Sequence, residues 1–349
     1  MVGLAKRFKN NPIIIPGDMV PSIKGFGVGG VFNPGAFKYQ GKIGLLLRVA
    51  EFPQPLESWV QAPIIETDHT IDILKFANTD PHLEATDPRV FSYKGKMYLT
   101  SISHLRLAWS EDGIHFKVDD KPFVTGEGKY EIYGIEDCRV TEIDGTFYLT
   151  YSAVSNNGVG VGLIRTRDWK TFERLGLIFP PTNRNCAIFP DKTGDYCNYY
   201  YAMHRPSGDV FGGEHIWISR SKDLRYWGDH CCVVQTRPGK WDCARIGAGA
   251  PPFRTPDGWL AIYHGADENN RYCLGALLLD LDDPTRVIAR TDEPLMEPVT
   301  EYERRGFFGN VVFCNGQIVE GETLIIYYGA ADETICRADF SISEIMNLF

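Results

Sequence analysis

Apolar and polar residues alternate along most of this chain in short runs that end at glycine-containing turns. Such runs read as antiparallel strands joined in hairpins. The stretch from Gly134 to Ala153, GIEDCRVTEIDGTFYLTYSA, shows the plan. Glu136 and Asp137 precede a strand that alternates through Arg139 and Val140; the chain turns at Asp144-Gly145 and returns as Phe147-Tyr148-Leu149-Thr150. Asp-Gly between alternating strands is a strong hairpin signal. A near-copy lies upstream, ATDPRVFSYKGKMYLTSIS from Ala85 to Ser103, in which Asp87, Arg89, Gly95 and Tyr98 align with Asp137, Arg139, Gly145 and Tyr148. Internal repetition of this kind predicts a propeller or another repeat array.

Further hairpins of the same kind are expected over Val31 to Glu51, turning at Gln40-Gly41, and over Asn185 to Pro206, Ile246 to Asp267 and Asn310 to Asp332. That makes six. A second motif, an Asp in a turn between an apolar strand and a closing strand, recurs at Asp112, Asp168, Asp223 and Asp283, spaced 56, 55 and 60 residues apart. One hairpin of each kind makes a four-stranded blade. Six inner hairpins against four outer ones fit five blades if the first and last segments share one; six complete blades are the alternative. The expected fold is therefore all-β, a single β-propeller domain over 1–349, with helix only near Ser341 to Phe349. Asn10 to Phe26 reads as a Pro- and Gly-rich entry segment. Ile43 to Val49 reads as a strand buried on both faces, and Arg48 inside it requires a partner.

Composition narrows the function. The 349 residues are 44% hydrophobic and 13% aromatic, as a packed core requires, and carry a formal net charge of -9. No run of Lys and Arg appears, so no nucleic-acid partner is expected. There is neither a signal-peptide pattern nor a stretch of membrane-spanning length, so the expectation is a cytoplasmic protein with no membrane partner. Nine scattered cysteines without a CxxC pair fit reduced thiols and no metal site. Oligomeric state stays open, a homo-oligomer included.

GIEDCRV, the HRP at His204 to Pro206, GAGAPPF, IYHGAD and YYGAAD together resemble glycoside hydrolase family 130, the mannoside phosphorylases and mannosidases. The resemblance runs from about Asn11 to the C-terminus. The VAE after Arg48, the TSIS at Thr100 and the GDH at Gly228 to His230 are most similar to its β-1,2-mannobiose and β-1,2-oligomannan branch; Cys138 departs from the usual Pro or Ala. The family fold implies five blades.

Inverting cleavage of a glycoside needs an acid on one side of the sugar and a nucleophile on the other. A hydrolase adds a second carboxylate to activate water, whereas a phosphorylase needs a cationic cradle for phosphate. Asp137, where an inner strand begins, is the candidate proton donor, and the resemblance implies the same role. It also implies that Arg184, Arg205 and His264 form a cationic phosphate-binding set, and that Asn33, Arg48 and Asp332 hold the mannose hydroxyls. Asp87 and Arg89, on the repeat of the Asp137 hairpin, are substrate-binding candidates; a structural repeat Asp is the plain alternative. The expected reaction converts a β-manno-oligosaccharide and phosphate to α-mannose 1-phosphate and a shortened acceptor, with phosphate as co-substrate and no cofactor. A β-1,2-mannosidase, a β-1,4-mannoside phosphorylase and a non-catalytic carbohydrate-binding propeller are the competing readings.

Overall fold

In the computed structural model, which describes residues 4–194, 198–208 and 212–349, the strand pattern becomes five antiparallel sheets built on one plan. Sheet I holds Phe26–Tyr39, Lys42–Pro53, Ile102–Ser110 and Lys117–Val118. Sheet II holds Ile135–Ile143, Thr146–Ser155, Gly158–Thr166 and Glu173–Phe179. Sheet III holds Asn183–Ile188, Tyr200–Pro206, Ile216–Ser221 and Gly228–Val234; the turn of its first hairpin, at 195–197, lies outside the described residues. Sheet IV holds Arg245–Ala248, Gly258–Ala266, Tyr272–Leu279 and Val287–Arg290, with Phe253–Thr255 paired beside the second of these. Sheet V holds Val312–Glu320, Thr323–Ala330 and Thr334–Ser341, and Lys6–Arg7 from the other end of the chain completes its outer edge.

Local chemistry accounts for the turns. Gln40-Gly41 and Asp144-Gly145 both adopt left-handed φ, 49° and 79° in the first and 48° and 70° in the second. That is the twist that joins two right-handed strands most tightly. The recurring outer Asp is a backbone cap. Asp112 Oδ1 accepts the amides of Ile114 and His115, Asp168 Oδ1 those of Lys170 and Thr171, and Asp223 Oδ1 those of Arg225 and Tyr226. A hydroxyl two residues earlier, on Ser110, Thr166 or Ser221, takes a further amide in each turn. These side chains stand in for backbone partners that a turn cannot supply.

The Ala85 to Ser103 hairpin departs from expectation. Its strands, Val90–Tyr93 and Lys96–Leu99, join Leu83–Glu84 in a separate three-stranded sheet. Beside it lies a two-stranded sheet, Trp59–Ile65 with Ile71–Ala77, so this whole region is an excursion between the second and third strands of sheet I. The inner hairpins number five, not six. The copy has the right turn but leaves Lys96 and Met97 exposed, whereas the run Ile102–Ser110 is buried on both faces and takes the place beside Lys42–Pro53. Hairpin resemblance is local; membership of a sheet is decided by which run has two apolar faces to bury.

Each sheet shares a core with its neighbours. Leu46, Val140 and Phe147 pack between sheets I and II; Leu163 and Ile188 between II and III; Met203 and Trp259 between III and IV. Ile262 and Ile326 fill the space between IV and V, and Val31, Leu47 and Tyr327 that between V and I. The innermost strands approach backbone to backbone on both sides of sheet I. A Cβ on Gly35 would sit 3.1 Å from Cys138 O, and one on Gly316 would sit 2.6 Å from Pro34 O. Only glycine permits so close an approach. No helix among the described residues is long and apolar enough to cross a membrane.

The two chain ends are clamped together by Glu303, which is fully buried. It accepts from Arg7 Nε at 2.7 Å, from Tyr328 Oη at 2.8 Å and from the amides of Val299 and Thr300 at 2.8 and 3.0 Å. Glu303→Gln is expected to destabilise the protein by on the order of 3 kcal/mol, because it leaves the Arg7 guanidinium without its counter-charge. A urea midpoint equal to that of the wild type would show that the clamp carries no stability.

Candidate active site

The innermost strands do not run straight to the centre. Sheet I is bulged between Phe32 and Gly35, sheet II between Glu136 and Arg139, sheet III between Arg184 and Ala187, and sheet V between Cys314 and Gly316. Three of these bulges carry an Asn or Asp in left-handed conformation, Asn33 at φ 48°, Asp137 at 52° and Asn185 at 55°. These short polar side chains tolerate that region better than most, and a bulge re-aims the side chain it carries. Over the bulges lies a cavity of about 770 Å³. Asn33, Arg48, Arg89, Asp137, Arg184, Arg205, His264 and Asp332, far apart in the sequence, all line it. Asp87 does not; it grips Arg89 from behind, accepting Nε at 3.0 Å and Nη2 at 2.8 Å.

One side of the cavity is acidic and is organised by Arg48. Its Nη1 donates to Asp137 Oδ1 at 3.0 Å, its Nη2 to Glu136 Oε1 at 2.7 Å and its Nε to Ser103 Oγ at 3.1 Å. This is the partner that an Arg inside an apolar strand required. Asn33 Nδ2 donates to the same Asp137 oxygen at 3.0 Å. Burial pushes the Asp137 carboxyl up, but Arg48, Asn33 and Arg139 outweigh it and hold the group below its usual range. Glu136 goes the other way, raised by burial and by the adjacent Asp137 despite Arg48. Asp332 is pushed up to about 6 by burial, against the pull of Arg48.

The opposite chemistry comes from sheets III and IV. Arg184 and Arg205 are direct cross-strand partners. Arg205 is buried and donates from Nη2 to Glu214 Oε2 at 2.9 Å. Burial draws its proton affinity down to about 10, with Glu214 opposing and Arg184 adding to the fall. Among the described residues Arg184 has no ion pair, and the Nε atoms of both arginines are buried without an acceptor. Arg245 joins them in the cavity lining and donates to Tyr272 Oη at 2.9 Å.

His264 lies on this side but is not a cation, contrary to the sequence expectation. Burial, reinforced by Arg205, Arg139 and Arg245, drives its proton affinity well below the ordinary value. Its tautomer follows from its neighbours. Arg139 Nη2 donates to Asn185 Oδ1 at 3.3 Å, so the Asn185 amide nitrogen faces His264 Nε2 at 3.3 Å. Nε2 therefore accepts, and the ring proton sits on Nδ1.

A third wall comes from the excursion: Val90, Met97, Tyr98 and Leu99 line the cavity, and the Arg89 guanidinium lies 3.7 Å from the ring centroid of Phe308. Phe308 belongs to the Glu301 to Asn310 loop, which thus reaches the cavity. The sequence shows Glu136 beside Asp137 but gives it no role, and it does not mark Asn185, Glu214, Arg245 or Phe308 as site residues. Asn185 and Arg245 carried a signal, a polar residue at the cavity end of an innermost strand. Glu214 carried none.

An all-β chain with a deep polar cavity over its inner strands, acidic on one side and basic on another, is built to hold a polar substrate together with an anion. A family model described as beta-1,4-mannooligosaccharide phosphorylase, that of glycoside hydrolase family 130, matches residues 88–349. The chain belongs to glycoside hydrolase family 130. It is 46% identical over 347 residues to the β-1,2-mannobiose phosphorylase of Listeria innocua, covering 98% of this chain and 97% of that one. It is 37% identical over 298 residues to the 1,2-β-oligomannan phosphorylase of Thermoanaerobacter, covering 84% and 95%. The structure of the Listeria innocua enzyme in complex with β-1,2-mannobiose superposes with a TM-score of 0.96 at 45% identity, over 99% of this chain and 98% of that chain.

The raised Asp332 has a consequence for stability. Its folded value of about 6 exceeds the ordinary 3.8, so the folded protein keeps a proton that the unfolded chain releases between these values. Stability therefore falls as pH rises through that window, and the cost, at most about 3 kcal/mol, is fully present above it. Asp332→Asn is expected to melt above the wild type near neutral pH, with the gain vanishing at about pH 4. Melting curves for both proteins across this range check it; a difference independent of pH would contradict it.

Proposed function

We propose that this protein is an inverting β-1,2-mannoside phosphorylase, and that its five sheets are the blades of a five-bladed β-propeller with the cavity at its axis. The observation that carries the first part is the separation of charge inside one cavity. A carboxylate cluster sits on Arg48, and three arginines gather on sheets III and IV, two of them, Arg184 and Arg245, without a counter-ion among the described residues. The near full-length similarity to the Listeria innocua phosphorylase supports the substrate class. The blade reading is supported by the succession of shared cores from sheet I through to V and back to I.

In this reading Asp137 gives its proton to the glycosidic oxygen as the bond from that oxygen to C1 breaks. A phosphate oxygen forms the new bond at C1 from the opposite face, which yields α-mannose 1-phosphate and the shortened acceptor. Contact with Arg48 holds Asp137 ionised. Two events raise its proton affinity: a sugar that draws Arg48 away, and a phosphate that brings negative charge into the cavity. Arg184, Arg205 and Arg245 offer forks to the phosphate oxygens, and neutral His264 adds a donor rather than a charge. Asn33, Arg48 and Asp332 surround the position of the mannose, and Arg89 with Phe308 bounds it from the excursion side.

Hydrolysis is the second reading, because Glu136 and Asp332 are additional carboxylates in the same cavity. Incubation with β-1,2-mannobiose separates the two. Phosphorolysis predicts α-mannose 1-phosphate with phosphate present and near silence without it, and Asp137→Asn should lose ~10²- to 10⁴-fold in turnover. Free mannose released quickly in phosphate-free buffer would establish a mannosidase instead. Arg184→Ala should raise the Michaelis constant for phosphate about ten- to a hundredfold, the worth of one charge-assisted contact, with a smaller effect on the mannoside. The reverse pattern would assign Arg184 to the sugar.

A further inference from the structure

Among the described residues, Arg205 differs from its two basic neighbours in having a resident carboxylate. Glu214 Oε2 stands 2.9 Å from Arg205 Nη2. The Glu214 backbone is anchored independently: its carbonyl accepts the Ile246 amide at 2.9 Å, and it bridges to Arg245 in parallel fashion. Glu214 thus lies between two of the three arginines, its side chain about one-third exposed and lining the cavity. Of the other carboxylates lining the cavity, Glu136 and Asp137 are taken up by Arg48, and Asp332 is driven toward its neutral form by burial.

From this placement we infer that Glu214 is the resident counter-anion of the phosphate cradle, a positioning residue that holds Arg205 in the empty enzyme and competes with phosphate for it. The inference rests on the phosphorylase reading. Three guanidinium groups and one carboxylate leave this wall with a formal charge of +2, equal and opposite to a phosphate dianion. Glu214 meets two needs. Without an anion, Arg184 and Arg205 face each other as like charges across the strand pair, and a carboxylate at Arg205 relieves that repulsion. With an anion, the same carboxylate weakens binding, so phosphate and the sugar phosphate product leave more readily than three uncompensated arginines would allow.

Glu214→Gln separates charge from shape, since the amide oxygen still accepts from Arg205 Nη2. The full-length variant is expected to bind phosphate and sulfate about tenfold more tightly by calorimetry, the scale of removing one like charge from a buried anion site. The Michaelis constant for phosphate should fall in parallel, that for β-1,2-mannobiose should hold within about twofold, and turnover should fall as product release slows. Should the Gln variant fail to fold, Glu214→Ala reads the same loss of charge. Weaker phosphate binding in the folded variant would make Glu214 a mere brace for Arg205, and unchanged binding would give it no part; either result overturns the inference. If wild-type protein shows no phosphate binding and no phosphate dependence, the phosphorylase reading itself has failed. If the wild type binds phosphate and the variant binds it equally, only the role of Glu214 has.

Discussion

The guanidinium of Arg139 is the joint on which the centre of this molecule depends. It is 1% exposed, and among the described residues no carboxylate is bonded to it. Its donors go instead to Gly249 O at 2.9 Å, Ala248 O at 2.8 Å, Asp137 O at 2.8 Å and Asn185 Oδ1 at 3.3 Å. One side chain from sheet II therefore ties together the inner strands of sheets II, III and IV. Burial lowers its proton affinity, with the Asp137 charge opposing. A buried charge is tolerated only when its donors are satisfied, and here the acceptors are Asp137 O in the bulge of sheet II, Asn185 Oδ1 in the bulge of sheet III, and Ala248 O and Gly249 O at the end of the innermost strand of sheet IV.

That joint links the two halves of the site. On one side it holds the backbone of Asp137, whose carboxylate then meets Arg48 and Asn33. On the other it orients the Asn185 amide, which in turn sets the tautomer of His264. The acidic and basic walls are thus positioned by one group and kept apart by it. A polar cavity lined by five arginines and four carboxylates would collapse into ion pairs if the side chains were free to find each other. Strand register and the fully buried anchors behind it prevent this, and leave Arg184 and Arg245 without an ion pair among the described residues.

Both ends of the site show how position alters chemistry. Asp137 and Asp332 are the same residue type in the same cavity, yet one is held ionised by Arg48 and the other is driven toward its neutral form by burial. His264, which by composition alone reads as a third cation, is neutral because the arginines around it and its burial both oppose a second proton. Charge state here belongs to the cavity, not to the residue.

The sequence by itself determined the hairpins, the Asp-Gly turns and the outer Asp-capped turns, because each is settled by residues within a few positions of one another. It also marked Arg48 as needing a partner and Asp137 as a carboxylate at an inner strand, because an apolar run and a strand boundary are visible locally. Membership of the sheets was decided only in three dimensions. The Asp87 hairpin matches the Asp137 hairpin turn for turn, yet it lies outside the five sheets, because Ile102–Ser110 has two apolar faces and the copy does not. The same holds for Asn185, Glu214, Arg245 and Phe308 in the cavity, and for the neutrality of His264. Each depends on groups from other sheets or loops, and neither spacing nor composition encodes the distance between residues that meet only when all five sheets pack.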